Sequence, residues 1–495
     1  MKVVFINPPN TYELVGNDPV IIKDQQGVSP SLGMMYIAAH LKHTGRYDVH
    51  FIDAQADELD HEQVAERVKQ IDPDVVGMMA MTFTLIDVRL IMQEIRKRCN
   101  SKIILGGPHV VIYPEQTIDP RGLGADYAVI GEGEVTMDTL LQAIGTGTAH
   151  EKIWRQEKFI EDMDELLFPA RELTPIGKYY SILCKETPTT TAFSSRGCPF
   201  VCSFCDRPAL GKGFRAMSAK RVVDEMQWCV DHNIKEIFFY DDTFSVSKKR
   251  VHEICDEIKR RGLAWQDPRT SQWQWKIGWD IRTRVNVVDE SLIRNLSESG
   301  CERIHFGVES AVPRIIKELQ KGITQEQVED AFALCKQYHI KTLAYLMMGN
   351  PTETHKDVLE TLQMTNRIRP DFMQMTILSP FPATAIYYRA LRDGILDHDI
   401  WADYALNMPD DFRPPLWEEK FTRSELEAEL RWFYSKFYLT PHFIRDRIME
   451  VRNMGQFMRY ARGGLSLLKM SLVPDSKLMD SWRTRTKVGS LATSG

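Results

Sequence analysis

Apolar residues in the first third of the chain fall in short runs, separated by stretches in which they recur every three or four positions. The short runs read as buried strands and the periodic stretches as amphipathic helices. Strands are thus predicted at 2–6, 49–53, 75–81, 102–106 and 127–130, with helices at 32–43, 62–71, 86–98 and 134–144. Regular alternation of strand and helix specifies a parallel sheet covered on both faces. The expected fold class is α/β, with a flavodoxin-like doubly wound domain over residues 1–147 whose ligands bind beyond the carboxyl ends of the strands.

The period is lost over residues 148–188, where Pro169, Pro175 and Pro188 mark a linker holding at most a small helix. A second series follows, with strands at 190–194, 236–240, 273–279, 303–308, 342–348 and 372–378 and helices at 219–232, 248–261, 289–299, 325–339 and 356–369. Six such units joined by right-handed crossovers make a partial (βα)6 barrel over 189–400 rather than the closed eight-stranded form. Residues 401–495 read as a helical C-terminal region, with 12 Lys and Arg against 4 Asp and Glu from Arg431 onward. The Arg, Phe, Leu and Met pattern over 445–470 fits either a helix lying on an anionic membrane surface or a helical cap with a solvated basic face.

At 495 residues the chain exceeds one ordinary core, which agrees with two or three domains. A net charge of -6 gives no argument for nucleic-acid binding, and no run of about 18 apolar residues is present to cross a membrane. Nine cysteines, an odd number and mostly scattered singly, do not form a disulfide framework, so a reducing cytoplasm is expected. The start MKVVFINPP reads as a strand and not as a signal peptide.

The chemistry concentrates between Ser195 and Pro208, in SRGCPFVCSFCDRP, where Cys198, Cys202 and Cys205 stand at the spacing CxxxCxxC. Three thiolates this close can cap an iron-sulfur cube and leave its fourth iron without a protein ligand. The alternatives are ordinary buried cysteines or structural zinc, but zinc takes four Cys or His ligands, usually as two pairs, and no second CxxC or HxxxH occurs. The stretch resembles the cluster loop of radical S-adenosylmethionine (SAM) enzymes, including Phe204 before the third cysteine. That resemblance implies a [4Fe-4S] cluster whose open iron chelates the amino and carboxylate groups of SAM, and whose electron cleaves SAM to a 5'-deoxyadenosyl radical.

Four predicted strand ends in the first domain are distinctive: Asn7-Pro8-Pro9, Thr82 with Thr84, Gly106-Gly107-Pro108-His109 and Gly131-Glu132-Gly133-Glu134. Glycines there either let backbone approach a large flat ligand or simply make tight turns. Together, GGPHxxxxPE and GEGE resemble the cobalamin-binding domain that precedes many radical SAM enzymes, which would place Thr82, Gly106, Gly107, His109, Gly131 and Glu132 at cobalamin. The DxHxxG motif that supplies a lower histidine ligand is absent. The resemblance then implies base-off cobalamin, with Thr82, Gly107 and Gly131 lining the corrin and His109 either a polar contact or a turn residue.

By the same resemblance, Glu309, Gly349 and Pro351 at the barrel top would contact SAM with Phe204, Glu309 as its polar contact and the Gly349-Pro351 turn close to adenine, and Asp242 is a further SAM candidate by its position after the second barrel strand. The Asp241-Asp242 pair could bind ribose hydroxyls, act as a base or cap a helix, and Glu309 could instead form a structural salt bridge. Arg282 and Arg284 are open to the SAM carboxylate, an acidic substrate or solvent. Trp265, Trp273, Trp275 and Trp279 read first as core. The segment from Ser379 to Thr384 resembles the family's PFPGT loop with Ala383 in place of glycine.

The resemblance spans about residues 1–400 and is to cobalamin-dependent radical SAM enzymes, the group of the anaerobic magnesium-protoporphyrin ester cyclases and hopanoid methylases. It implies methylation of an unactivated carbon of an apolar or tetrapyrrole-like molecule, the radical removing hydrogen and methylcobalamin delivering the methyl group. Alternatives are an oxidative cyclase, a cobalamin-independent radical SAM enzyme, and a non-catalytic cluster or corrinoid sensor. Expected partners are a small-molecule substrate, lipid or tetrapyrrole, and an electron donor such as flavodoxin or ferredoxin, with no nucleic acid. A cytoplasmic location is expected, with peripheral membrane contact as one reading of the basic tail.

Overall fold

The computed structural model describes residues 1–14, 27–206, 213–409, 411–449, 451, 454, 458, 461, 464 and 465. Pro208 and most of the basic stretch 445–470 lie outside the described residues.

Six parallel strands form the first sheet, in the order Asp48–Asp53, Lys2–Asn7, Val75–Met79, Lys102–Gly106, Tyr127–Ile130, Ile153–Arg155. This is the flavodoxin-like order with one strand added at the edge. Leu32–His43 and Gly133–Thr146 cover one face, while His61–Ile71 and Leu85–Arg96 cover the other. The strand expected over 75–81 stops at Met79, because Thr82–Thr84 turns into a short 3-10 helix. Ile153–Arg155 lies within the expected linker; three residues are too few to carry a period.

The second sheet is also parallel, with Thr189–Ala192, Glu236–Phe239, Gly278–Thr283, Cys301–Glu309, Lys341–Met348 and Phe372–Ile377 side by side in sequence order. Its outer helices start at side-chain caps: Ser218, Ser247, Asp289 and Thr324 each accept from an amide in the first turn. The third barrel strand expected at 273–279 is instead Gly278–Thr283, which places Arg282 within the strand. Trp273–Trp275 pairs antiparallel with Ala264–Gln266 in a separate hairpin, so the tryptophan alternation does mark a strand, but one in another ladder. Of these tryptophans, Trp279 alone is fully buried.

The carboxyl ends of the two sheets share one apolar core. Val4, Ile52 and Val76 of the first domain belong with Leu319, Leu378, Trp401 and Tyr404. The proline-rich segment after the barrel is the cement: Arg89 donates to the Asn407 and Met408 carbonyls at 3.3 and 3.2 Å, and the Tyr113 hydroxyl donates to Asp399 at 2.8 Å.

A six-stranded barrel leaves an open edge, and the helix Arg423–Tyr438 covers it. The Tyr434 hydroxyl accepts from the Met375 amide at 3.1 Å and donates to the Met375 carbonyl at 3.2 Å. Tyr438 does the same at Met373, at 2.9 and 2.5 Å. The match is geometric: four helical residues rise about 6 Å and two strand residues about 6.6 Å. No helix among the described residues is long and apolar enough to cross a membrane.

Each of Tyr434→Phe and Tyr438→Phe is expected to strip the edge strand of one such pair and lower stability by about 1–3 kcal/mol, read as the urea unfolding midpoint. An unchanged midpoint in the double variant would show that the edge finds other partners.

Candidate active site

The three motif cysteines sit on a loop that leaves the barrel's first strand and returns through a short antiparallel pair, Ser195–Arg196 with Arg215–Ala216. Asp241, fully buried, shapes its start by accepting from the Ser194 amide at 2.9 Å, the Ser194 hydroxyl at 2.7 Å and the Ser195 hydroxyl. Mid-loop, the Ser203 amide donates to the Leu319 carbonyl at 3.0 Å and the Ile386 amide to the Ser203 carbonyl at 2.8 Å. Cys198 and Cys202 are half-buried, Cys205 is exposed, and none is in a disulfide. Cys198 Sγ lies 3.6 Å from the Thr243 hydroxyl, and Arg284 Nη1 donates to Cys202 Sγ at 3.2 Å. Among the described residues no three His, Cys, Asp or Glu converge on a single-ion position. The donor set, three thiols on one loop, fits a cube that takes one thiolate per iron.

The barrel top brings further groups to this loop. Lys321 Nζ lies 5.7 Å from the Phe204 ring centre and donates to Glu309 Oε1 at 2.7 Å, with both residues buried. Glu309 adopts φ 65 at an irregularity in its strand, a conformation that re-aims a side chain and persists only where packing enforces it. A Cβ on Gly307 would stand 2.5 Å from Lys321 Nζ, so that glycine makes room for the pair. Glu309, expected at SAM, is thus engaged by Lys321, the salt-bridge alternative. Lys321 itself carries no local sequence signal, and Arg284 donates to its carbonyl.

The two neighbouring acids separate: Asp241 is buried in the loop base, while Asp242 is exposed, its carboxyl raised by the surrounding protein and by Asp241. Gly349, at φ 70, makes the expected turn before Pro351, and its missing side chain also leaves room for Leu426 and Ile377; a Cβ would lie 3.0 and 3.3 Å from them. Deeper in the barrel the interior is polar. Arg303 pairs with Glu236 at 2.7 Å and Asp280 at 3.1 Å, and His305 stands between Asp280 and the Tyr345 hydroxyl at 3.1 and 3.0 Å. Arg282 stacks 3.9 Å over the Tyr240 ring and donates to the Phe239 carbonyl at 3.0 Å. Among the described residues it has no carboxylate within ion-pair reach.

On the facing sheet, Thr82 and His109 come together, Thr82 Oγ1 lying 3.2 Å from His109 Nδ1. His109 is fully buried, held neutral by burial that pushes it down to about 3, and its Nε2 has no partner among the described residues. An unpartnered buried ring nitrogen at a strand end fits a polar contact to a bound group. Gly106 ends the strand before this turn, and Gly107 and Gly131, at φ 101 and 97, are required by their backbone conformation; a Cβ would also meet the Ala80 carbonyl at 2.9 Å and the Gln156 side-chain Oε1 at 2.3 Å respectively. Glu132 turns away from the crevice toward the cluster loop, where burial would raise its carboxyl but Arg215 and Arg196 hold it below the usual range.

Glu353 folds back on the Gly349 turn, accepting from the Asn350 amide at 3.0 Å, and burial pushes its carboxyl from 4.5 up to about 7. The native state therefore holds this proton more tightly than the unfolded chain, so the stability it contributes is full below about pH 4.5 and lost as pH rises through about 7. Glu353→Gln is expected to gain on the wild type between about pH 5 and pH 8, by up to about 3 kcal/mol in urea unfolding. An equal difference at both pH values would contradict this.

Comparison with known proteins agrees with the geometry. The B12 binding domain family matches residues 19–141 and the radical SAM superfamily matches residues 193–365. The chain is 32% identical to the uncharacterised methyltransferase PH0819 of Pyrococcus horikoshii, over 91% of this chain and 95% of that protein. It is 28% identical to the anaerobic magnesium-protoporphyrin IX monomethyl ester cyclase of Cereibacter sphaeroides, over 89% of this chain and 70% of that one. Bacteriochlorophyllide d C-8(2)-methyltransferase of Chlorobaculum tepidum is 23% identical over 72% of this chain and 78% of its own. In fold, the chain resembles the cobalamin-dependent SAM radical enzyme OxsB solved with aqua-cobalamin, with a TM-score of 0.66 at 16% identity over 98% of this chain and 75% of that one. It also resembles the methyltransferase TsrM, with a TM-score of 0.62 at 19% identity over 79% and 76%. The paired B12 and radical SAM domains and the full-length relative together make this chain a member of the cobalamin-binding radical SAM enzymes.

Proposed function

We propose that this chain methylates an unactivated carbon of a small, largely apolar or tetrapyrrole-like molecule bearing an acidic group. The observation that carries the reading is the arrangement of the two sheets, whose ligand-binding ends face one another across a shared core, Phe83 beside Thr82 meeting Phe381 of the barrel-top loop at 6.3 Å. When bound, the cluster supplies the electron that cleaves SAM, and cobalamin supplies the methyl carrier.

The chain's own groups then have separate tasks. Cys198, Cys202 and Cys205 hold the cluster, and Arg284 orients the Cys202 thiolate. Asp242, exposed at the barrel mouth, is placed to accept from ribose hydroxyls of SAM, with Phe204 and the turn at Pro351 alongside. Thr82, His109 and the Gly106 turn line the corrin crevice. Arg282, with no carboxylate in ion-pair reach among the described residues, is offered to an acidic group of the substrate. The apolar core around both openings excludes water from the space between. A flavodoxin- or ferredoxin-class protein would provide the electron.

The Pyrococcus methyltransferase supports methyl transfer over cyclisation, being 32% identical over 95% of its length, against 28% over 70% and 27% over 83% of two cyclases. The bacteriochlorophyllide methyltransferase supports a tetrapyrrole.

Anaerobically reconstituted protein given cobalamin, SAM, a reductant and a panel of tetrapyrrole carboxylic acids is expected to form both 5'-deoxyadenosine and S-adenosylhomocysteine. Replacing Cys198, Cys202 or Cys205 by Ala should bring deoxyadenosine to background. Deoxyadenosine persisting in any of these variants would remove the cluster assignment. An oxidised, unmethylated tetrapyrrole without S-adenosylhomocysteine would establish the cyclase reading instead.

A further inference from the structure

The loop that carries the cysteines is closed at its base by two arginines standing opposite each other, Arg196 and Arg215. Both reach out of the barrel to the same carboxylate of the other domain: Arg196 Nη1 donates to Glu132 Oε1 at 2.9 Å and Arg215 Nη1 to Glu132 Oε2 at 3.0 Å. Arg196 Nη2 also donates to Glu134 at 2.6 Å. Glu132 is filled by two more donors, Gln156 Nε2 at 2.9 Å and the Ile160 amide at 2.8 Å. Glu132 and Arg196 are almost wholly buried, and the Arg196 guanidinium lies 5.3 Å from the ring centre of Tyr36.

Glu132 stands just beyond the strand Tyr127–Ile130, at the end of the sheet where the corrin crevice opens, and it precedes the helix Gly133–Thr146. One carboxylate therefore connects the B12 domain to both ends of the cluster loop. A shift of one domain along the other would leave a buried charge unpaired, which is strongly unfavourable. Adhesion alone does not call for this arrangement, because the domains already share an apolar core containing Trp401 and Tyr404.

We propose that Glu132, with Arg196 and Arg215, is a positioning device that fixes the separation and orientation of the cluster relative to cobalamin. Its importance follows from the reaction: a misplacement of about 1 Å between reacting partners can cost on the order of 100-fold in rate. The inference rests on the cofactor placement proposed above.

Pulsed dipolar electron paramagnetic resonance on the holoenzyme, between the reduced cluster and cob(II)alamin, reads the separation directly and needs no substrate. The wild type is expected to give one narrow distance distribution. Arg196→Gln and Arg215→Gln, with iron and corrinoid contents checked, should displace or broaden it, and Arg196→Lys, which keeps one charge toward Glu132, should restore part of the narrowing. Glu134→Gln removes a single partner and provides a milder variant should an arginine substitution fail to fold; it too should broaden the distribution. A distribution unchanged in the cofactor-loaded variants would overturn the inference and reduce the contact to domain adhesion. Wild-type protein that binds iron and corrinoid on one site only would instead overturn the cofactor placement and the inference with it.

Discussion

Charge buried where two sheets meet has to be paired, and that constraint organises this site. Glu132 with Arg196 and Arg215, Glu309 with Lys321, and Arg303 with Glu236 and Asp280 are ion pairs almost entirely withdrawn from water. Such pairs add little net stability, because desolvation offsets attraction, but breaking one costs about 3–5 kcal/mol. They therefore select one arrangement more than they strengthen it. The selected arrangement keeps a short, partly exposed cysteine loop in register with the crevice of a different domain.

The same economy of specification is visible at the barrel's open edge. Six strands cannot close, and a bare edge invites pairing with other chains. Two tyrosines on the C-terminal helix take up the edge amides and carbonyls while Leu426 of that helix fills the space above Gly349. Closing the edge by side chains leaves the interior unconstrained by further strands. That interior is lined by Arg282, His305 and Tyr345 rather than by the aliphatic layers of a packed barrel, consistent with a space that receives a polar end of a ligand.

What the sequence revealed was whatever is local. The CxxxCxxC spacing, the strand-end glycines and the alternation of strand and helix are all written within a few residues, and both sheets follow from them. Partnerships across long separations were not legible: Glu132 reads as part of a strand-end motif, while its partners lie 64 and 83 residues away. Lys321 gives no signal because a lysine is expected at the surface, and only the fold shows the gap at Gly307 into which it reaches. Tyr434 and Tyr438 look like one apolar helix face until the strand they serve is placed beside them. The tryptophan alternation at 273–279 was a true strand signal that periodicity could not assign to the correct ladder, since two ladders meet there. The strand-end glycines were legible with two readings, approach to a flat ligand or a tight turn, and the turn by itself accounts for Gly107 and Gly131 through their positive φ.

The proposed chemistry requires that three thiolates leave one iron of a cube open to SAM. Mössbauer spectroscopy of protein reconstituted with isotopically enriched iron, before and after SAM addition, tests this most directly. The predicted result is that one iron of the four changes its signal on SAM binding while the other three keep theirs. Four irons that respond alike, or none that responds while SAM is bound, would contradict it.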